Sequence, residues 1–264
     1  MSAMTLLLGY LLLGSLAGTL AGLFGIGGGL IIVPALVFAF DLQGVDSEVG
    51  MHLAVGTSLA TIVVTGASSA WGHYRRGSIH REWFQALLPG LMLGAIGGVF
   101  VAGNLSGGLL GLLFGLFILA VALRMALGRG PEPGELQPGR ATMGVAGGVI
   151  GGISALFGIG GGTLSVPWLT RCGATMTQAV GTSSACGLPI ALFGAVTFVV
   201  VGWGVANLPP GTTGYVMWPA FLGIVLTSVP FARVGVRLAH FLPARALRLS
   251  FAGLLALVGI KFLL

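Results

Sequence analysis

The sequence predicts an all-α polytopic membrane protein made of two inverted repeats, each a glycine-broken, hairpin-like segment followed by three transmembrane helices. Three observations carry that prediction. Of 264 residues, 56% are hydrophobic and only 7% charged, whereas a soluble domain carries about a quarter charged. Apolar runs follow one another from end to end, and a pair of motifs recurs in the same order. So few charges cannot cover a water-facing surface. A soluble enzyme, a nucleic-acid-binding domain and a disulfide-rich secreted protein are thereby excluded.

The apolar runs lie at 4–24, 28–40, 51–72, 83–102, 106–127, 141–157, 163–170, 177–203, 214–232 and 243–263. A helix needs about 20 residues to cross about 30 Å of hydrocarbon. The runs 28–40 and 163–170 are too short alone, and each follows a glycine cluster. The segments 4–40 and 141–170 therefore read as broken hairpins, and the other six runs as ordinary helices. The first run has no positively charged flank and reads as a membrane segment rather than a cleaved signal. Gly14, Gly18 and Gly22, like Gly144, Gly148 and Gly152, keep the four-residue spacing of close helix packing. Pro189 is expected to kink its helix. The stretch Gly128 to Arg140 holds Pro131, Pro133 and Pro138 and reads as a linker. The organisation is thus repeat one over 1–127, a cytoplasmic linker over 128–140, and repeat two over 141–264.

Leu23-Phe24-Gly25-Ile26-Gly27-Gly28-Gly29 returns unchanged as Leu156-Phe157-Gly158-Ile159-Gly160-Gly161-Gly162, an offset of 158 − 25 = 133. Val33-Pro34 returns as Val166-Pro167 at the same offset. Val55-Gly56-Thr57-Ser58 returns as Val180-Gly181-Thr182-Ser183, an offset of 181 − 56 = 125. Two elements in the same order mean a duplicated unit.

Basic loops mark the cytoplasmic side. Arg75, Arg76 and Arg81 place one loop inside; Arg124, Arg129 and Arg140 place the linker there too. The loops near 103–106 and 204–213 carry no charge and belong outside. Arg171 and the loop with Arg233, Arg237, Arg245 and Arg248 fall inside only if 141–170 turns back to its starting side. The same turn in 4–40 puts Asp41, Asp46 and Glu48 outside. Corresponding loops then face opposite sides, which is the inverted-repeat pattern of transporters.

Gly25, Gly27, Gly28 and Gly29, with Gly158, Gly160, Gly161 and Gly162, can leave helical geometry at low steric cost. Each short run would then begin a helix at the break, with unpaired N–H groups and about half a positive charge at its start. Two such ends form an anion site without a basic side chain in the bilayer. Pro34 and Pro167 fall early in the short runs, near where a helix tolerates proline. Close packing by small residues is the plainer alternative, but consecutive glycines serve it poorly. The run is no dinucleotide fingerprint, since Leu30 and Thr163 stand where its last glycine belongs. Gly56, Thr57 and Ser58, with Gly181, Thr182 and Ser183, are expected to add hydroxyl donors, against the alternative of bonding to their own helix.

No acidic or basic residue lies in the middle of an apolar run, and Lys261 is three residues from the C-terminus. Proton coupling would fall to His52, His73, Asp41, Glu82 or the substrate; both histidines flank helix ends and are expected to be solvated. Arg75 and Arg76 chiefly set topology. Cys172 and Cys186 read as apolar fillers. No catalytic residue, metal or cofactor is expected: Ser58 and Ser183 are followed by Leu59 and Ser184, not by the glycine of an intramembrane serine-protease motif.

These paired motifs resemble the sulfite exporter TauE/SafE family, small membrane proteins described with seven or eight helices. The resemblance spans almost the whole chain. It implies transport of sulfite, sulfoacetate or a related organosulfonate across the bacterial inner membrane. The expected function is that of a secondary transporter exporting a small sulfur-containing anion, one repeat rocking against the other around a central site. A structural subunit without flux and an anion channel are the alternatives. The expected partners are the anion and the lipid bilayer, with no nucleic acid; a homodimer and a coupling ion, H⁺ or Na⁺, stay open.

Overall fold

The computed structural model describes residues 3–24, 28–127, 134, 136–239 and 243–264. Every predicted run is helical. Ten helices stand among the described residues: α1 (Ala3–Phe24), α2 (Gly29–Leu42), α3 (Ser47–Arg75), α4 (Arg81–Gly103), α5 (Gly107–Ala126), α6 (Arg140–Leu156), α7 (Gly162–Arg171), α8 (Met176–Val201), α9 (Trp218–Ala239) and α10 (Ala244–Lys261). Helices α3, α4, α5 and α8 and the Trp218–Gly235 part of α9 are long and apolar enough to cross a membrane. The chain is a multi-pass membrane protein. The run 214–232 begins later than expected as helix, because β1 (Thr212–Thr213) and β2 (Val216–Met217) form a hairpin before α9.

Local chemistry sets most boundaries. Asp46 caps α3 by accepting the Glu48 N–H at 3.0 Å, and Ser106 caps α5 through Leu109. Thr175 and Gln178 form a reciprocal capping box on α8. Helices α2 and α7, of 14 and 10 residues, are about 21 and 15 Å long and cannot span hydrocarbon. Pro34 and Pro167 lie six residues into them, past the first turn where proline was expected. Each leaves the carbonyl four residues back, Leu30 and Thr163, without a helical partner.

The closest helix pairs join the two copies. Methyl groups built on Gly90, Gly94 and Gly98 of α4 would fall on the carbonyls of Gly144, Gly148 and Gly152 of α6. The match climbs in step, so α4 and α6 run parallel. Likewise Gly14 and Gly18 of α1 abut Ile224 and Ser228 of α9, again parallel. Only glycine permits this backbone-to-backbone approach.

Helices α3 and α8 pack antiparallel: Gly56 meets Phe198, Gly194 meets Leu59, and Ser69 meets Ser184. Helices α5 and α10 are also antiparallel, with Gly115 beside Phe262 and Gly259 beside Leu119. The His80–Thr182 and Gly103–Val201 contacts run α4 parallel to α8. Helix α7 runs against α8, with Gly161 beside Ile190, so the chain reverses between α6 and α7. These directions gather every described arginine at one end of the molecule. Asp41, Asp46, Glu48 and Lys261 lie at the other. Two linker residues lie at the arginine end, where Gly134 and Leu136 donate to the last carbonyls of α7 at Thr170 and Arg171.

Candidate functional site

The second glycine cluster is a true break. Helix α6 ends at Leu156, and Gly158 turns left-handed with φ +67°. Ile159 N–H then reaches back to the Ser154 carbonyl at 2.9 Å, closing the helix as a glycine C-terminal motif. Residues 159–161 stay outside helix until α7 begins at Gly162. The first cluster reaches the same place. Helix α2 starts at Gly29, where an added methyl would lie 2.6 Å from Ile159 Cα. Ser58 Oγ donates to the Gly158 carbonyl at 2.8 Å. Gly28, Gly29, Ser58 and Gly158 therefore come together in the core of the molecule. Gly25 and Gly27 lie outside the described residues.

Neither half-helix carries a side-chain cap: Gly28 precedes α2 and Gly161 precedes α7. In the first turns the Ile31 and Leu164 N–H groups reach the Gly28 and Gly161 carbonyls at 3.0 and 3.2 Å. Gly161 faces the Gly187–Ile190 turn of α8, and among the described residues a methyl on Gly160 would touch only Ile62, at 3.7 Å.

The Gly-Thr-Ser elements stitch the copies together. Gly56 admits the Tyr215 carbonyl, and Thr57 Oγ1 accepts the Met217 N–H at 3.0 Å. In the other copy Gly181 admits Ser78, and Thr182 Oγ1 accepts the His80 N–H at 2.8 Å. The same two-residue step recurs: glycine passes residue 215 or 78, and threonine holds residue 217 or 80. Each threonine oxygen thus accepts from the other copy and anchors the segment that leads into α9 or α4.

Ser183 behaves differently from Ser58. Its hydroxyl is buried and has no hydrogen-bond partner among the described residues. Ser154, Thr163 and Ser228 share that condition. Ser154 lies in the last turn of α6, Thr163 in the first turn of α7, and Ser183 one turn from Gly187. Ser154 and Thr163 thus flank the break between α6 and α7 in the chain, and Ser183 sits one turn of α8 away from Gly187, which faces Gly161. Ser154 and Thr163 were missed in the sequence. A signal existed: at offset 133 they stand where the first copy has Ala21 and Leu30, polar groups replacing apolar ones.

His52 is a correction. It was expected at a solvated helix end, yet it is 3% exposed. Helix α3 begins at Ser47, four residues before the apolar run, and the β1–β2 hairpin covers the ring. His73 is half-buried and shares a 2.9 Å hydrogen bond with Ser78 Oγ. Asp41 and Glu82 are exposed. Cys172 and Cys186 are buried and free, as apolar fillers would be. Burial pushes the Cys172 thiol, which follows α7, above its ordinary range. A mostly apolar cavity of about 650 Å³ runs beside α2, from Asp41, Glu48 and Lys261 at its charged mouth to Leu20 and Leu30 at depth.

Residues 10–262 match the family described as Sulfite exporter TauE/SafE. A protein of Haemophilus influenzae named "Probable membrane transporter protein" is 39% identical over 98% of this chain and 99% of its own length. A Methanocaldococcus jannaschii protein with a similar transporter name is 27% identical over 96% of this chain and 94% of its own. No solved structure matches the chain.

Proposed function

The chain belongs to the sulfite exporter TauE/SafE family, and from that premise we propose that it exports a small sulfur-containing anion: sulfite, sulfoacetate or a related organosulfonate. It is a membrane transporter by kinship; the substrate, direction and mechanism are our reading. The observation that carries it is the break at Gly158–Gly161. An uncapped helix start follows it, Ser154 and Thr163 flank it in the chain, and Ser183 lies one turn from Gly187 on α8; none of the three hydroxyls has a partner among the described residues. Buried polar groups are nearly always satisfied. Helix-start N–H groups and hydroxyls together are donors suited to an oxyanion with several acceptor oxygens. Gly28, Gly29, Gly160, Gly161, Gly162, Ser58 and Ser183 would surround it, with the Gly-Thr pairs fixing the frame. No covalent step is needed, and the chain acts as a carrier and not an enzyme.

We read residues 1–127 and 141–264 as inverted copies joined by a cytoplasmic linker over 128–140. Support comes from the opposite directions of α3 and α8 and of α5 and α10, which are counterparts. The arginine-rich end faces the cytoplasm of a bacterial inner membrane. Because α1 is locked to α9 and α4 to α6, the bodies that rock would be these mixed pairs, each with one helix from either copy.

Purified protein in vesicles, given sulfite, sulfoacetate, chloride and nitrate with and without Na⁺ and pH gradients, tests the proposal. Saturable flux of the sulfur anions is expected. Absence of flux, or unitary currents of a channel, would overturn it.

A further inference from the structure

The His52 ring meets three electron-rich groups. Its Nδ1 lies 3.1 Å from the Glu48 carbonyl, and its Nε2 lies 3.0 Å from the Ala102 carbonyl. Its face stacks on Tyr215, with ring centroids 5.0 Å apart and planes 26° off parallel. Carbonyl oxygens only accept, and a neutral imidazole has one N–H. The ring satisfies both contacts only when both nitrogens carry a proton. Ala102 lies in the last turn of α4, where the helix dipole favours a positive charge.

We propose that His52 is the site that takes up a coupling proton; this rests on the transport reading above. The titratable and charged groups around it are Asp46, which caps α3, Glu48 in its first turn, and Tyr215 on the hairpin. The last turn of α4 and the first turn of α5 carry none. The Glu48 carboxylate is engaged by the Gly107 N–H at 3.2 Å. Protonated, His52 ties three things together at the acidic end of the molecule: α3, the end of α4, and the hairpin that enters α9. Helix α4 belongs to one interlocked pair and α9 to the other, so the ring bridges the two bodies. Loss of the proton sets a nitrogen lone pair against a carbonyl and breaks one of those ties. The matching position in the second copy, 52 + 125 = 177, is the exposed Thr177. The latch therefore exists at one end only, and that asymmetry is what a proton gradient needs in order to act on a symmetric frame.

The test has two arms on the full-length protein in lipid. The first is ¹⁵N NMR of the histidine rings, with His52 identified by cross-peaks to the Tyr215 ring, titrated between about pH 5 and 8. A doubly protonated ring at the acid end of that range is expected. A ring that keeps one proton throughout overturns the proposal whatever the flux does. The second compares wild type with His52→Gln, using sulfite and sulfoacetate, for flux driven by a pH gradient and for exchange without one. The variant is expected to exchange anion but to lose the response to the gradient. A variant that keeps that response overturns the proposal and leaves the transport reading standing. Wild-type vesicles that carry neither anion overturn the transport reading itself, and the coupling with it.

Discussion

Ser58 and Gly158 are a hundred residues apart, yet the hydroxyl of one donates to the carbonyl of the other at 2.8 Å. That bond pins the break of the second copy to the central helix of the first. Removing the donor leaves a buried carbonyl unsatisfied. Ser58→Ala should cost about 1–3 kcal/mol, read as a lower unfolding temperature in detergent without added anion.

Ser183 occupies the matching position and should respond in the opposite way. Its hydroxyl has no partner to lose among the described residues. Ser183→Ala should leave the stability of the anion-free protein unchanged or slightly higher. It should weaken the stabilisation that sulfite confers, and lower flux. Binding measured by thermal shift separates the two serines.

The α4–α6 contact predicts unequal tolerance on its two sides. A methyl on Gly94 would fall on the Gly148 carbonyl, whereas a methyl on Gly148 would find, among the described residues, only the Gly90 carbonyl at 4.0 Å. Gly94→Ala should destabilise by about 1–3 kcal/mol through overpacking. Gly148→Ala should be near neutral. The yield of monodisperse protein and its melting temperature measure both.

Gly158 and Gly160 should separate fold from function. Gly158 is left-handed, and a methyl there would press on Val55 at 3.0 Å. The left-handed geometry alone makes Gly158→Ala cost about 1–2 kcal/mol. Among the described residues, a methyl on Gly160 would meet only Ile62, at 3.7 Å. Gly160→Leu should keep the protein in the membrane and fill the space beside it, abolishing flux in vesicles.

The helices and the break at Gly158 were legible because length, apolarity and glycine act locally. The roles of Thr57 and Thr182 were not. Each acts on a partner in the other copy, Met217 and His80, which neither sequence periodicity nor motif spacing ties to it. His52 failed for a related reason. A histidine near a helix end is solvated unless something distant covers it, and the Tyr215 hairpin does so from 163 residues away (215 − 52). Duplication signalled that both Gly-Thr-Ser elements matter, but their use as inter-copy anchors depends on tertiary contacts.

The interlocking of α1 with α9 sets a delay in biogenesis. The first helix, complete at Phe24, lies against a partner that begins at Trp218. At 5–20 residues per second the ribosome takes roughly ten to forty seconds to make the intervening chain. Throughout that interval the glycine face of α1 meets lipid or a chaperone instead of its mate. Neither half synthesised alone could seat its own first helix, so a split version should assemble only when both pieces share one bilayer.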